Sequence, residues 1–489
     1  MIHRFTFGGR SGYRKGNGHA ERSRGIADLL DRAEIPRLLP TGRDSLGMTT
    51  KRGHLVRVPK GSGAHTSRST HFVLAMALFI MSPWLVSAND VLDQWINSAL
   101  DQNREVVAAR RAWEAAQQRA PQARSFMDPM VGVAFMRMGQ TRFDDVDTTE
   151  VMVAQQLPWF GKRSARIATA EGMAEATGFR YLETMRAVRA RVVAAYWQLW
   201  AAQCAVEISR ENWELLTQFE KIARARYEAG HGLQADFLRA QVERDRLETD
   251  LLTIEQERAV AEARINRLLS APVDTARQVA EPAAKPALPD TWDELQADAL
   301  RYYTRLRSLE HNVAAREAAV RSARLEYAPN VEFRVMARQH DGQSGFQEYD
   351  TGVAINVPWL WRGKYRAGIR EAEAERDREQ ALYEDQTDEM LLAIQEYYTA
   401  ADAGRRTIRL FAEVILPRTR EFLETTRAAY ESGNVTLLEL INAQQAWQDA
   451  NLAYERARAG YAADVANLEA ITQPWTEREI ETGLIAPNK

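Results

Sequence analysis

The chain of 489 residues carries 64 basic and 67 acidic side chains, a formal net charge of -3, and 45% hydrophobic residues. Opposite charges are interspersed rather than blocked, so they read as solvated helix faces and nothing in the balance calls for nucleic acid as a partner. The single cysteine, Cys204, excludes an internal disulfide framework, and its setting in YWQLWAAQCAV reads as a buried, inert thiol.

The first 60 residues are rich in Gly, Arg and Ser and show no sustained period. HFVLAMALFIMSPWLVSA then runs from His71 to Ala88, behind a basic approach that includes Lys51, Arg52, Arg57, Lys60 and Arg68. An apolar core of about 15 residues is short for a membrane span and suits a secretory signal. Val86-Ser87-Ala88 offers the small-residue cleavage pattern. Residues 1–88 are therefore expected to be a disordered extension plus signal peptide, with Met48 a candidate start and Asn89 the first mature residue. An N-terminal membrane anchor is the alternative. No cysteine follows closely enough for a lipid anchor, and no later apolar segment approaches the roughly 20 residues of a helical span. Any membrane crossing must be made by strands.

From Asn89 the chain states one plan twice. The expected organisation is a first repeat over 89–273, a linker over 274–290, a second repeat over 291–475 and a tail over 476–489. ARSFMDPMVGVAF from Ala123 matches ARLEYAPNVEFRV from Ala323, and Pro158-Trp159 recurs as Pro358-Trp359, both 200 residues on. RYEAGHGLQADFLRAQ from Arg226 matches AYESGNVTLLELINAQ from Ala429 at an offset of 203, with Ala240-Gln241 recurring as Ala443-Gln444. Three blocks in one order mark an internal duplication.

Each copy opens with a helical stretch, Val91–Phe126 and Trp292–Tyr327, ended by Asp128-Pro129 and Ala328-Pro329 because a residue before proline is pushed out of the α region. Alternation follows. Val131, Val133 and Phe135 share a face in the first copy, as do Val151, Val153 and Gln155 on the return after the loop QTRFDDVD. In the second, Val331, Phe333, Val335 and Ala337 oppose Glu332, Arg334, Met336 and Arg338, and YDTGVAINVP returns after HDGQSGFQE. Strands of about nine or ten residues suit a tilted membrane crossing, although the period alone also fits a soluble, half-buried hairpin.

Long charged rods come next. Lys162–Ala229 has 68 residues and no proline; Lys364–Ser432 has 69 and one, Pro417, which should bend or interrupt it. Such rods are on the order of 100 Å long and need coiled-coil-like partners. Met185, Val188, Val192, Tyr196 and Leu199, spaced 3, 4, 4 and 3, supply a seam. Leu238, Val242, Leu247, Leu251, Ile254, Ile265 and Leu268 form a less regular set on the returning helix. Gly230 and Gly433 sit where each rod should end in a glycine cap.

Four strands cannot close a barrel, and an open edge in hydrocarbon leaves unpaired backbone groups at several kcal/mol apiece. The chain must share its sheet with copies of itself: two copies give eight strands whose interior side chains nearly fill the barrel, three give twelve, and a through-channel favours three. On that reading Val331, Phe333 and Val335 face lipid, and Glu332, Arg334 and Arg338 face the lumen. Pro158, Trp159, Gly161 and Lys162, with Pro358, Trp359, Gly363 and Lys364, mark the membrane interface where strand becomes helix. The alternative is that these tryptophans seal a soluble sheet–helix corner.

At this point the chain resembles the TolC-like outer-membrane efflux family over about Leu92–Thr472. The residues that carry the resemblance are Gln156-Leu157-Pro158-Trp159-Phe160-Gly161-Lys162-Arg163 and the Tyr227-Glu228-Ala229-Gly230 to Ala240-Gln241 block. The resemblance implies a mixed α/β membrane protein whose four strands complete a trimeric 12-strand barrel, with long antiparallel helices forming a periplasmic tunnel. It also implies an outer-membrane location, a periplasmic adaptor and an inner-membrane pump of the RND type as partners. Gly230, Asp236, Gly433 and Glu439 are the corresponding tip contacts, with Asp236 and Glu439 conceivable as electrostatic latches. The Pro-Trp-Phe-Gly-Lys form is similar to heavy-metal efflux members. Met127, Met130, Met136 and Met138 suit soft metals, but their ordinary reading is apolar filling at the interface.

No phosphate-binding loop, metalloprotease motif or nucleophile–base spacing stands out, so no enzyme, cofactor or resident metal is expected. The cargo reading is metal ions or small toxic compounds. Its competitors are a periplasmic coiled-coil adaptor and the exit duct of a type I protein secretion system.

Overall fold

The computed structural model describes residues 88–136, 147–281, 286–288 and 291–485. The signal segment, Met138, most of the first hairpin loop and parts of the linker lie outside the described residues.

The opening stretch of each copy is jointed rather than continuous. In the first copy it comprises α1 (Ala88–Gln102), α2 (Arg104–Gln117) and α3 (Arg119–Arg124). Asn103 leaves helical geometry at φ -62°, ψ 125° and caps α2, its Oδ1 accepting from the Glu105 N–H at 2.9 Å. Its Nδ2 donates to the Leu268 carbonyl at 2.9 Å, tying the joint to the far end of the repeat. The second copy breaks at the equivalent Tyr303, between α6 (Trp292–Tyr302) and α7 (Thr304–Leu325). No proline or glycine announces either joint; docking onto the neighbouring rod decides them.

The four strands form one antiparallel sheet in the order β1 (Met130–Met136), β2 (Thr148–Leu157), β3 (Val331–His340) and β4 (Glu348–Ile355). β2 and β3 join the two copies in a ten-residue ladder from Thr148 opposite His340 to Leu157 opposite Val331. The outer edges of β1 and β4 have no partner strand among the described residues. Gly342 and Gly345, at φ 75° and 81°, turn the second hairpin.

Beyond the sheet, α4 (Lys162–Glu228) runs 67 residues and α5 (Gln234–Leu268) returns beside it. The second copy enters through a 3-10 turn at Pro358–Trp361, then continues as α8 (Arg362–Leu410), a π turn at Phe411–Ile415, α9 (Leu416–Glu431) and α10 (Leu437–Thr472). The 3, 4, 4, 3 seam of α4 is the core: Met185, Val188, Val192, Tyr196 and Leu199 are buried against α1, α2 and α5. A second cluster joins α6 and α7 to α8 and α10 through Leu295, Leu306, Met390, Ile394, Val465 and Leu468. The returning seam of α5 differs from expectation. Ala240, Leu247, Ala261 and Ile265 face inward, whereas Leu238 and Val242 are exposed in the single chain. Alanines let the backbones approach closely, so the large side chains turn to the open face.

The segment after α10 is packed down. α11 (Glu477–Ile480) carries Glu479, whose carboxylate accepts from Arg186 Nε at 2.6 Å and Nη2 at 3.1 Å in a buried bidentate pair. Arg186 also lies 4.6 Å over the Trp475 ring and donates to the Tyr302 carbonyl at 3.0 Å. One guanidinium therefore ties α4, the C-terminal segment and the second-copy joint together. Burial pushes the Cys204 thiol up to about 12, helped by the nearby Glu455 and Glu207, which keeps it protonated and unreactive.

Pro417 interrupts its rod in a specific way. The ring removes one N–H and crowds the carbonyl one turn back, and the chain answers with the π turn, in which the Leu416 N–H reaches the Phe411 carbonyl. Pro417→Ala should let the rod run on as α-helix and raise thermal stability, by up to roughly 3 kcal/mol. A melting point that stays put or falls would mean that packing, not proline, holds the π turn.

Candidate functional site

Alternation and register give the sheet two chemically opposite faces. Residues paired directly across antiparallel strands point the same way. Val131, Val153, Val335 and Thr351 therefore form one row, and Gln155, Phe333 and Val353 another. With Val133, Phe135, Val331 and Ile355 they make an apolar surface, on which Phe333 is 49% and Val335 52% exposed in the single chain. An apolar area of this extent belongs against lipid or a partner.

The opposite face is ionic. Arg338 lies 3.0 Å from Glu150, 2.6 Å from Asp350 and 3.5 Å from Glu348, and Arg334 pairs with Glu332 at 3.2 Å. His340 Nε2 is 3.4 Å from Glu348. Solvent screens pairs like these, so they set the polarity of the face more than its stability. Met130 and Met136 stand in rows with Ala154–Arg334 and Thr148–His340, and Met152 pairs with Met336, all on the charged face. Single-strand alternation could not say which face was which until the ladder fixed it.

At the root of the sheet the two Pro-Trp motifs diverge. Gly161 adopts φ 85°, with Leu325 3.4 Å from where a Cβ would sit, and caps the start of α4. Trp159 and Phe160 are exposed, Phe160 at 87%. Lys162 does not reach outward as expected for an interface base. Its side chain is fully buried, donating to Glu326 Oε2 at 3.2 Å and Asn330 Oδ1 at 2.9 Å. The left-handed turn at Gly161 sends the first helical residue under the end of α7, and two oxygens from the other copy satisfy the ammonium there. Arg166 shares Glu326 at 2.8 Å. Burial pushes the Glu326 carboxyl up, but hydrogen bonds from Arg166 and Lys162 and their two charges outweigh it and hold the group below the ordinary carboxylate range.

The second motif has no left-handed glycine. α8 already begins at Arg362, so Lys162 corresponds to Arg362, and Gly363 lies inside the first helical turn without a positive φ. Trp359, Leu360 and Trp361 are exposed, and Lys364 holds its Nζ 5.6 Å over the Tyr365 ring. Glu326 and Asn330 had no signal in the sequence, since their partner lies more than 160 residues away.

At the far end both rods terminate alike. Gly230 and Gly433 take φ 75° and 80°. His231 N–H reaches the Arg226 carbonyl and Asn434 N–H the Ala429 carbonyl, each at 2.9 Å, closing Schellman caps. The returning helices start differently. Asp236 stands in the first turn of α5, which has no side-chain cap from Leu233. Glu439 completes a capping box with Thr436, one of its carboxylate oxygens accepting from the Thr436 N–H at 3.0 Å. The two tips pack through Leu216, Phe219, Ala240, Leu247, Leu437, Leu440 and Ile441. Arg226 clasps the pair, donating to the Tyr430 carbonyl at 3.0 Å with its guanidinium 4.9 Å over that ring.

No described helix is long and apolar enough to cross a membrane, and among the described residues no group of three or more His, Cys, Asp or Glu gathers to hold a metal.

The family model described as outer membrane efflux protein matches residues 95–271 and 296–472, one match per repeat. The alkaline protease secretion protein AprF of Pseudomonas aeruginosa is 24% identical over 324 residues, covering 63% of this chain and 66% of AprF. The proteases secretion protein PrtF of Dickeya chrysanthemi is 25% identical over 239 residues, covering 45% of this chain and 50% of PrtF. The chain thus spans two thirds or less of the length of these curated relatives. Among solved structures, the outer-membrane channel OprN superposes with a TM-score of 0.68 at 21% identity, covering 80% of this chain and 91% of OprN.

The buried ammonium gives a test of the root. Lys162→Met removes two charge-assisted hydrogen bonds and should cost roughly 1–3 kcal/mol in thermal unfolding; a neutral effect would show that Lys162 is not sealed there. Glu326→Gln gives the pH signature. Because the folded pKa is depressed, the stability that wild type holds over this variant should be full above the ordinary value of 4.5 and vanish as pH falls through the lower folded value. A difference that grows on acidification would refute the pairing.

Proposed function

The chain belongs to the outer membrane efflux protein family, and from that premise we propose that it is the passive exit duct of a three-part exporter spanning the cell envelope. One observation carries the reading: a four-stranded sheet with one apolar face, one ionic face and two unpaired edges. Such a sheet is admissible in hydrocarbon only when its edges close on further strands, and three copies close twelve strands around a water-filled lumen large enough to conduct. The apolar face then meets outer-membrane lipid, the ionic face lines the lumen, and the long helices continue the passage through the periplasm. The chain is a conduit and not a catalyst.

For partners, the tips at Gly230–Asp236 and Gly433–Glu439 face an adaptor that joins the duct to an inner-membrane transporter, which in our reading is an RND pump. For cargo, we favour metal ions or small toxic compounds. Met130, Met136, Met152 and Met336 support this reading as soft, polarisable groups on the lumenal face. A second reading, the duct of a type I system exporting proteins, is favoured by the named roles of AprF and PrtF in protease secretion.

Fractionation and electrophoresis of unheated samples test the duct: an outer-membrane oligomer of three mature chains is expected, and a soluble single-chain species would end the proposal. Phe333→Arg should cost roughly 2–4 kcal/mol if the ring lies at mid-membrane, read as lost trimer yield; normal insertion would move Phe333 out of the lipid-facing set. A deletion strain separates the cargoes. Selective sensitivity to divalent metals or to dyes supports small-solute efflux, whereas loss of a secreted protein from the medium with unchanged tolerance supports the second reading.

A further inference from the structure

The recurring Ala-Gln pair has a use that conduction does not explain. Ala240 and Ala443 are fully buried, and the glutamine after each reaches back to α4. Gln241 Nε2 donates to Glu220 Oε1 at 3.1 Å in a partly exposed contact. Gln444 Nε2 donates to Asn212 Oδ1 in a buried one. Asn212 and Ser209 are 0% exposed and Gln444 1%, which makes this a sealed polar layer in the seam between α4 and α10. It lies next along both helices from the apolar tip cluster of Leu216, Leu440 and Ile441.

Along this stretch Asn212 Nδ2, Trp213 Nε1, Gln444 Oε1 and Ser209 Oγ are sealed from solvent without a hydrogen-bond partner among the described residues. Buried polar groups are very rarely left so in a native fold. The set comprises two N–H donors and two oxygen acceptors from residues at i, i+3 and i+4 of α4 and from one facing residue of α10. A water molecule, which accepts two hydrogen bonds and donates two, is its complement, and buried waters typically serve such groups.

We propose that this layer binds a buried water between α4 and α10 and that the completed layer fixes the register of the second copy's returning helix against the first rod. An alanine- and leucine-rich seam does not by itself specify register, because after a one-turn slip each leucine meets another apolar hole. A polar layer does specify it, since a slip strands the amides among apolar side chains. Register matters at the tip. Only with the two rods ending level does Arg226 meet the Tyr430 carbonyl, and only then do the caps at Gly230 and Gly433 present one surface. The inference concerns helix alignment and holds whatever the duct carries.

Two measurements on the full chain in its native oligomer test it. A high-resolution map should show a water within hydrogen-bonding distance of Asn212 Nδ2 and Gln444 Oε1, beside the direct amide contact; no water at those two atoms would overturn the site. Register is read by cysteine cross-linking in a Cys204→Ser background. Gln445 Nε2 lies 3.3 Å from Glu243 Oε2, so Glu243→Cys with Gln445→Cys reports the native alignment, and Glu243→Cys with Gln448→Cys a slipped one. The native pair should cross-link at least about tenfold better. In Asn212→Leu/Gln444→Leu, which removes both partners, the ratio should fall toward one, and an unchanged ratio overturns the register role. Should that variant fail to assemble on an unheated gel, Gln444→Met, which nearly preserves volume, reads the same ratio with the same two outcomes.

Discussion

An unpaired strand edge cannot be left in hydrocarbon, and the rest of this protein follows from that constraint. β1 and β4 each present a row of backbone groups that no other described strand satisfies. In water such an edge is a hazard for aggregation; in lipid it is untenable, because no solvent is present to take the hydrogen bonds. Association with copies is therefore a condition of the folded state in the membrane. The sheet is a single layer, apolar on one face and ionic on the other.

The helical part answers a different demand. It stands in water, where backbone groups are satisfied within each helix and stability must come from buried seams. Those seams are narrow and built of alanine and medium-sized apolar side chains, with Arg186, Asn103 and Lys162 acting as pins where segments distant in sequence meet. Each pin is a polar group whose partners lie in another element, so its burial stabilises one docking geometry at the expense of others. The pins sit at the joints, while the seams between them are apolar or, at Asn212 and Gln444, sealed polar.

Duplication has produced a pseudo-repeat whose halves are no longer equivalent. The first root uses a left-handed glycine and a buried lysine; the second uses a 3-10 turn and leaves its lysine outside. The first rod is uninterrupted, and the second carries a proline with a compensating π turn. The first return starts without a side-chain cap, and the second has a capping box.

Much of this was legible in the residues because it depends on local rules. Period-two alternation located the strands and the apolar set around Phe333, proline ended the first helices, glycine capped the rods at Gly230 and Gly433, and the 3, 4, 4, 3 spacing marked the buried face of α4. These signals act within a few residues, so one chain displays them. What the sequence could not decide were contacts between residues far apart in the chain, such as the 164 positions between Lys162 and Glu326 and the 293 between Arg186 and Glu479. The burial of Lys162 against Glu326 and Asn330, the Arg186–Glu479 pin, the turning of Leu238 and Val242 to the open face, and the placement of the methionines on the ionic side of the sheet all depended on which elements lie side by side. Local chemistry sets what each segment can form; only tertiary packing sets which neighbour it meets, since a side chain's environment comes from atoms that the local sequence does not contain.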